Sequence, residues 1–558
     1  MPLSTLSLVA EPESLAAVPP LTWALAVSPV VLLLALVLWG RFSTIVNASV
    51  TVAYSVAVAV LAFGAGGLTV GVGLGKGAWV GLWILYVIWP ALLMHHLATH
   101  VGMKALGQAL STMLPRRTEN VLLLAWVLPS FIQGVSGFGT PIAVAAPLLV
   151  ALGIGKARAV ALPLVGYHWA VGFGSMGSSF YMGALTAHLD SPGRAAYAAS
   201  AAVLLGVNCV LSGVLVALMD GGLAGLRNGW RLLATAGPVM ALVQAGTVRL
   251  EPGIGALCAG ASGVAVVFVL RRFSARDAAV PARYAAVPAR YAAVPTGEGA
   301  TEEAEAEAEY TRMRARAAAV PYALLGIVAL AVFLPPPLRS WAKGHLLIGP
   351  SFPQTSTHQG TVNEAVSVYN PIALLGHPGT FLLIACAGSV AVWASRGIWK
   401  GSAWGPVWRG ALKQAWKSSP SVVLLASVAG VLVDSGMVRT VAQGAAVATG
   451  SAYPAIAPLV GALGSFITGS TTSSNALFSS LQADVAHLIG EPPADLLAGQ
   501  LAGGNIGNSL APVVILLGLS AVGAARRTGE VLRMTLAPAV VLLLSAVGCT
   551  CLLVAIHH

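Results

Sequence analysis

The sequence carries little charge. Only 9% of its 558 residues are Asp, Glu, Lys or Arg, whereas a typical soluble domain has about 25%. Fifteen of the charged residues fall within Arg271–Arg316, so the remainder of the chain is poorer still. Apolar runs of about 20 residues, the length needed to cross a bilayer of roughly 30 Å, recur throughout. The composition excludes a soluble globular protein and predicts an all-α polytopic membrane protein.

Residue patterns that carry enzyme chemistry are also missing. The five cysteines lie in apolar segments without the spacing of metal ligands. The sequence has no P-loop, no His/Cys cluster and no Ser/His/Asp arrangement that stands out from background. We therefore predict that the protein is not an enzyme and uses neither a metal nor another cofactor.

Acidic residues are fewer than basic ones, and the net charge is +11. The basic residues sit in short loops rather than on one face, a pattern typical of the cytoplasmic loops of membrane proteins and not of nucleic-acid binding.

The first 20 residues contain Glu11 and Glu13 but no Lys or Arg, unlike the basic start of a cleaved signal peptide. We expect the first helix, about Leu21–Gly40, to be a retained span.

Fifteen apolar segments are candidate spans. They lie at about residues 21–40, 48–74, 78–98, 120–153, 159–187, 197–219, 232–249, 252–270, 320–338, 376–394, 419–437, 441–468, 476–490, 498–523 and 535–556. Several contain glycine and proline, so we expect broken or re-entrant helices and 12 to 14 crossings in total.

A charged insert divides the chain. The heptapeptide AAVPARY occurs at Ala278–Tyr284 and again at Ala285–Tyr291, and a tract rich in glutamate follows. Proline in each copy is incompatible with a continuous helix, and low hydrophobicity favours disorder. We predict a first transmembrane half at residues 1–270, a low-complexity cytoplasmic linker at 271–318 and a second half at 319–558.

The linker also orients the chain. Two expected spans separate its basic residues from the next basic cluster, at Arg396–Lys417. An even number of crossings places both clusters on one side, which the positive-inside rule makes the cytoplasm. The intervening loop, about Arg339–His377, is then expected outside.

Two runs of Gly, Ser and Thr interrupt apolar sequence, QGVSGFGTPIAVAAP at Gln133–Pro147 and GSFITGSTTSSN at Gly464–Asn475. Glycine costs a helix interior about 1 kcal/mol and proline about 3 kcal/mol relative to alanine. A break at bilayer depth is tolerated only where protein buries it or a watery cavity adjoins it. Breaks at comparable places in two halves indicate a transporter's binding site.

Each run is followed by a second break. FGSMGSSF follows the first, with 40 residues from Gly137 to Gly177, and GGNIGNSLAP follows the other, with 38 residues from Gly469 to Gly507. The shared spacing predicts an internal duplication, which transporters commonly build as inverted repeats that meet at the midplane. Coincidence in a chain with 63 glycines is the alternative.

These breaks suit a carboxylate ligand. A bare anion is very unfavourable in an apolar medium, and a half-helix N-terminus offers N–H donors and about half a positive charge. We expect Thr140 to be an N-cap with Pro141 at the first helical position. Helix–helix contact through small residues is the alternative, and it fits Ser175–Ser179 better than Ser470–Asn475. The predicted substrate-binding residues are Gly137, Phe138, Gly139, Thr140, Ser175, Gly177, Ser178, Ser179, Gly469, Ser470, Thr471, Thr472, Ser473, Ser474, Asn475, Asn505 and Asn508.

Proton coupling requires a titratable group within the membrane. His168 lies just before the second break, and histidine titrates near neutrality, although it could simply hydrogen-bond the helix backbone. Asp434 is the only carboxylate in its apolar stretch and could instead pair with Arg439. We predict His168 and Asp434 as proton-coupling residues.

Three segments resemble the signature segments of the lactate permease family: GFGTPIAVAAPLL at Gly137–Leu149, GYHWAVGFGSMGSSF at Gly166–Phe180 and GSFITGSTTSSNALF at Gly464–Phe478. The resemblance runs, with gaps, from about Trp79 to about Leu536. It implies a secondary transporter that carries small 2-hydroxy monocarboxylates, L-lactate and glycolate, with a proton across the plasma membrane. The implied partners are the carboxylate, the proton and the lipid bilayer.

One departure from the family concerns coupling. Some members have Asp where this chain has Thr471, which leaves the coupling ion open. The alternatives are a carrier of another small organic anion, including a sodium-coupled one, and an anion channel.

Overall fold

The protein is described by a computed structural model that covers residues 18–558 except 40, 104, 106–113, 115, 136–138 and 275–298. The helices of the first half are α1 Pro20–Trp39, α2 Thr44–Phe63, α3 Gly67–Val101, α4 Arg117–Val135, α5 Thr140–Ala151, α6 Lys156–Tyr167, α7 Gly174–Thr186, α8 Ser191–Thr247 and α9 Gly255–Ser274. Within α4, the segment Leu123–Val127 is π-helical.

The second half is also helical. Its helices are α10 Gly299–Phe333, α11 Pro336–Gly344, α12 Pro378–Ser395, α13 Trp404–Asp434, α14 Met437–Thr449, α15 Tyr453–Thr468, α16 Thr471–Ile489, α17 Pro493–Leu510, α18 Pro512–Ala521 and α19 Thr528–His557. The loop between α11 and α12 contains β1 Leu347–Ile348, β2 Thr355–Ser356, β3 Val362–Asn363 and β4 Ile372–Ala373. Strand β1 pairs antiparallel with β4, and β2 with β3.

The expected all-α polytopic architecture is confirmed. In the described part of the chain, ten helices are long and apolar enough to cross a bilayer, or eleven if α17 and α18, bent by 48°, form one span. This count is below the expected 12 to 14, partly because α8 is counted as one helix although it contains two of the expected spans. Its 57 residues change direction at Gly221 and Gly222, which have non-helical backbone angles, and a Cβ at Gly225 would collide with Ala217 O. Helix α8 therefore folds back on itself.

Two boundaries differ from the expectation. The span expected at residues 48–74 ends at Phe63, because Gly64 adopts a left-handed conformation with φ of 63° and caps α2. The acidic half of the expected disordered linker is helical, since α10 begins at Gly299 and alanine and glutamate are strong helix formers. The proline-containing repeat lies within residues 275–298, outside the described residues.

The molecule has two opposite ends. At one end, here called the basic face, Arg158 Nη2 donates to Asp220 O at 2.8 Å and Arg314 Nε donates to Val101 O at 2.7 Å. At the other, here called the capped face, the β-stranded loop covers the helix ends and His557 Nδ1 lies 2.8 Å from Asp495 Oδ2. Helix α19 has 30 residues and spans about 45 Å between the two faces.

Two helical hairpins enter from opposite faces. The α4–α5 hairpin belongs to the basic face, because Thr118 near its start donates to Asp220 Oδ2 at 3.2 Å and its end is followed at once by α6, which carries Arg158. The α15–α16 hairpin belongs to the capped face, where Tyr453 packs with Val554 near the end of α19. Their tips lie inside the molecule.

Each hairpin is followed by a broken helix. The pair α6–α7 runs from the basic face to the capped face, where the His188 ring lies 5.9 Å from the Tyr369 ring. The pair α17–α18 runs the other way, from Asp495 at the capped face to Gly523, which lies near Lys156 at the basic face. The two units thus have the same order of elements in opposite directions.

Candidate functional site

The first break separates α4 from α5. Gly139 is the N-cap of α5, with φ of 81° and no side-chain capping bond, and Thr140 is the first helical residue. The prediction that Thr140 is the N-cap was therefore wrong by one residue: the left-handed conformation that turns the chain requires glycine. Thr140 is buried. Gly137 and Phe138 lie outside the described residues.

The second break contains a left-handed turn. Ser175, Met176 and Gly177 have φ of 47°, 53° and 75°, and a non-glycine residue in this region costs on the order of 1–3 kcal/mol. All three are buried, as are Ser178 and Ser179 directly after them. Strain of this kind clusters at functional sites, so the turn makes this break a candidate part of the site.

The third break lies between α15 and α16. Gly469, with φ of 68°, ends α15, and the Ser470 hydroxyl caps α16 by accepting from Ser473 N at 3.3 Å. The TTSSN segment thus forms the first turn of α16, and its five side chains are buried. Helix geometry leaves the N–H groups of Thr471 and Thr472 without intrahelical acceptors.

The fourth break lies at Ala511, between α17 and α18, near the end of the predicted segment GGNIGNSLAP and not at its glycines. Those glycines have another role. A Cβ at Gly503 would collide with Pro458 O, and a Cβ at Gly507 would collide with Ala462 O. They let α17 pack tightly against α15, while the break itself occurs before Pro512, which α18 accommodates in its first turn.

The four breaks meet in the interior. Ser179 Oγ lies 3.0 Å from Thr472 Oγ1, and Asn475 Nδ2 donates to Ser179 O at 2.8 Å. Asn505 Nδ2 donates to Trp169 O at 3.5 Å. The contacts of Ser179 join the second break to the third, and Asn505 connects α17 to the segment that precedes the second break.

Helix α18 joins the first break to the third. A Cβ at Gly139 would lie 2.6 Å from a Leu517 methyl group, and a Cβ at Gly469 would collide with Val513. Val513 and Leu517 are four residues apart and so lie on one face of α18. The tips of the two hairpins therefore approach the same face of this helix.

Several buried polar atoms in this cluster lack a hydrogen-bond partner among the described residues: Thr471 Oγ1, Asn475 Oδ1, Ser479 Oγ, Asn505 Oδ1 and Asn508 Oδ1. Leaving a buried polar group unpaired costs about 1–3 kcal/mol, so most are paired in native proteins and each exception requires an explanation. The residues named in the cluster are uncharged. Such a group can hydrogen-bond a small polar ligand.

A chain of amides braces the third break, and the sequence did not reveal it. Gln482 Nε2 donates to Gln500 Oε1 at 2.9 Å, and Gln500 Nε2 donates to Ser474 Oγ at 3.1 Å. Ser474 Oγ in turn donates to Gly461 O at 3.0 Å. The Ser474 hydroxyl is thus already paired, which makes it a support for the site. Glutamines in otherwise apolar segments were the available signal.

His168 lies directly before the second break. Its Nδ1 donates to Val165 O at 2.9 Å, so one ring nitrogen bonds the helix backbone. Its Nε2 is buried and has no partner among the described residues. Ser509 and Thr535 help line the small cavity beside this ring. His168 thus faces α17 and α19.

Asp434 forms a buried ion pair with Lys76. Lys76 Nζ lies 3.1 Å from Oδ1 and 3.0 Å from Oδ2 of Asp434, and both side chains are at most 9% exposed. The sequence suggested Arg439 as a partner, and the contacts that the structure gives the carboxylate are those with Lys76. The sequence did offer a signal for this pair. Lys76 is the only charged residue between Arg41 and Lys104, and an ionisable residue within an apolar span is rare and usually paired or functional.

Comparison with known proteins yields one family. The family model described as L-lactate permease matches residues 23–557. The L-lactate permease of Streptococcus iniae is 26% identical over 79% of this chain and 84% of its own length. The glycolate permease GlcA of Escherichia coli K12 is 27% identical over 83% of each chain. The solved YdaH transporter of Alcanivorax borkumensis is 13% identical over 86% of this chain and 87% of its own, with a TM-score of 0.43, too low to establish a common fold.

Proposed function

The chain belongs to the L-lactate permease family, and we propose that it carries small 2-hydroxy monocarboxylates, L-lactate and glycolate, across the plasma membrane by proton symport. It is an integral membrane protein with many apolar helices. The names of the relatives, L-lactate permease and glycolate permease, support this substrate class.

The observation that carries the proposal is the group of unpaired, buried polar atoms where the four breaks meet. The N–H groups of Thr471 and Thr472 and the Thr471 hydroxyl are the donors for the carboxylate. The positive end of the α16 dipole offsets the negative charge. No lysine or arginine is needed, which keeps binding weak enough for release.

The two hairpins supply a route of access. One enters from the basic face and the other from the capped face, and each is followed by a broken helix running in the opposite direction to its counterpart. We propose that these units form an inverted repeat whose alternate opening exposes the site to each side. The many basic side chains at the basic face support its assignment to the cytoplasm.

We propose that His168 carries the coupled proton. It lies next to the second break, and the unpaired Nε2 is free to accept a proton without disturbing the bond from Nδ1 to Val165. Asp434 is the less suitable group, because its carboxylate is already paired with Lys76.

The test is uptake of labelled L-lactate and glycolate into proteoliposomes. We expect saturable uptake that a pH gradient, acidic outside, drives above equilibrium and that a sodium gradient does not drive. Unlabelled lactate inside should accelerate entry of label, which a channel would not show. Failure to take up either acid under any gradient would disprove the proposed function, and sodium-driven uptake would disprove its coupling.

A further inference from the structure

One helical turn beyond the proposed carboxylate site, two unpaired atoms of the cluster, Asn475 Oδ1 and Ser479 Oγ, are joined by a third from outside it. The face of α16 that meets α7 carries Asn475 and then Ser479, and Tyr197 reaches the same place from α8. Asn475 Oδ1, Ser479 Oγ and Tyr197 OH are all buried and have no hydrogen-bond partner among the described residues. Ser479 and Tyr197 belong to none of the breaks.

The two hydroxyl groups and the amide group of Asn475 converge on Gly183 of α7. A Cβ at Gly183 would lie 3.0 Å from Tyr197 OH, 3.2 Å from Ser479 Oγ and 3.4 Å from Asn475 Nδ2. The absence of a side chain at this position is therefore what leaves room for the three polar groups side by side. A packing contact alone would favour apolar neighbours here, because burying unpaired polar groups is costly.

The groups are held in place by their other contacts. Asn475 Nδ2 donates to Ser179 O, and because a carbonyl only accepts, this bond fixes Oδ1 as the free end of the amide. Thr186 Oγ1 donates to Met182 O at 2.8 Å and lies 3.3 Å from Asn475 O, the carbonyl that a serine four residues later commonly uses. The Tyr197 ring stacks on Phe180, with centroids 4.5 Å apart.

We propose that Asn475, Ser479 and Tyr197 form a subsite for the 2-hydroxyl group of the substrate. A carboxylate offers no hydrogen to donate, so it cannot satisfy Asn475 Oδ1. A hydroxyl group both donates and accepts, and it can therefore pair with the amide oxygen and with a tyrosine or serine hydroxyl. Asn475 is four positions after Thr471, which is a rise of about 6 Å along the helix axis. This distance suits a carboxylate and an adjacent hydroxyl with one hydrogen bond at each end.

This inference rests on the proposed function and adds a selectivity to it. A site built to hydrogen-bond a substrate hydroxyl rejects analogues that lack it, because its own groups are then left unpaired. We expect propionate, which has no hydroxyl, to bind at least about 100-fold more weakly than lactate. Pyruvate, whose keto oxygen only accepts, leaves Asn475 Oδ1 unpaired and should also bind more weakly.

The experiment compares Tyr197→Phe and Ser479→Ala, each of which removes only a hydroxyl, in the full chain in proteoliposomes. Tyr453→Phe and Ser480→Ala are matched controls, because each also removes a buried hydroxyl with no partner among the described residues. Inhibition of labelled glycolate uptake by unlabelled lactate and by propionate gives two inhibition constants for every variant. Thermal unfolding in detergent shows whether each variant is folded.

We expect Tyr197→Phe and Ser479→Ala to weaken lactate inhibition about 2- to 10-fold, the effect of one neutral hydrogen bond, while propionate inhibition changes less than about 2-fold. The controls should alter neither constant. Equal weakening for both acids, unchanged inhibition in both variants, or a wild type that does not distinguish lactate from propionate would each overturn the subsite. A wild type that transports neither lactate nor glycolate would instead overturn the proposed function.

Discussion

The cluster at the four breaks and the Lys76–Asp434 pair are both polar regions buried in an apolar molecule, but their atoms differ in pairing. In the cluster, hydroxyl and amide groups carry no charge, and Thr471 and Asn475 each keep an unpaired atom. In the ion pair, both carboxylate oxygens lie within 3.1 Å of the ammonium nitrogen. The first region has capacity left for a ligand, and the second has little.

The helices around the two regions also differ, being continuous at the ion pair and interrupted at the cluster. The ion pair joins α3 to α13 where the backbones of the two helices pack closely. A Cβ at Gly430 of α13 would collide with Gly73 O of α3. The cluster instead lies where helices are interrupted and Ser175 adopts a left-handed conformation. We propose that α3 and α13 form a rigid scaffold and that the breaks form the part that binds and moves.

Breaking the ion pair is the largest change we predict. Lys76→Ala or Asp434→Ala leaves an unpaired buried charge, at a cost of about 3–5 kcal/mol, and should lower membrane expression and the thermal unfolding temperature in detergent. The double variant Lys76→Met/Asp434→Leu should recover most of this stability. An Asp434→Asn protein of normal stability that loses only proton-driven uptake would contradict the scaffold role and make Asp434 the proton site.

Thr471 gives the complementary test at the cluster. Thr471→Val keeps the shape of the side chain and removes a hydroxyl that has no partner among the described residues. Loss of a hydrogen bond to a charged group costs about 1.5–3 kcal/mol, so affinity for lactate should fall about 10- to 150-fold with little change in unfolding temperature. Ser520→Ala is the control, because this exposed hydroxyl on α18 donates to Leu516 O and has no other partner within the part of the chain that the structure describes. Unchanged affinity would remove Thr471 from the site.

His168 separates binding from coupling. We expect His168→Ala to spare exchange of lactate across a membrane without a gradient, because exchange never requires the empty carrier to reorient. Accumulation driven by a pH gradient of one unit, worth at most about 1.4 kcal/mol per proton, should be lost. A structural role would instead lower expression and reduce both activities together, and intact accumulation would eliminate His168 as the proton site.

The smallest effect is expected at the linker. The low hydrophobicity of residues 275–298 predicts that they contribute little to folding, so replacing them by a Gly/Ser linker of equal length should leave transport within about 3-fold. Extending the replacement through residue 316 should cost more, because Arg314 donates to Val101 O and His100 O. Loss of transport in the shorter replacement at normal expression would show that the repeat has a role of its own.

The helix breaks and the helical class could be predicted from sequence because they depend on local properties. Gly139 and Gly469 lie where the chain turns in a left-handed conformation, which disfavours other residues. The apolar runs have to be helical in lipid because their backbone groups must pair internally.

What the local pattern could not determine is which residues meet. The glycines at 503 and 507 look like a break in sequence but serve close packing, because packing depends on a neighbour far along the chain. Lys76 finds Asp434 358 residues away, and Tyr197 reaches Ser479 only through the fold. The sequence alone thus determined a membrane protein with interrupted helices. Only the tertiary structure decided which interruptions form a site, because an unpaired buried atom is defined by all of its neighbours and not by its own residue.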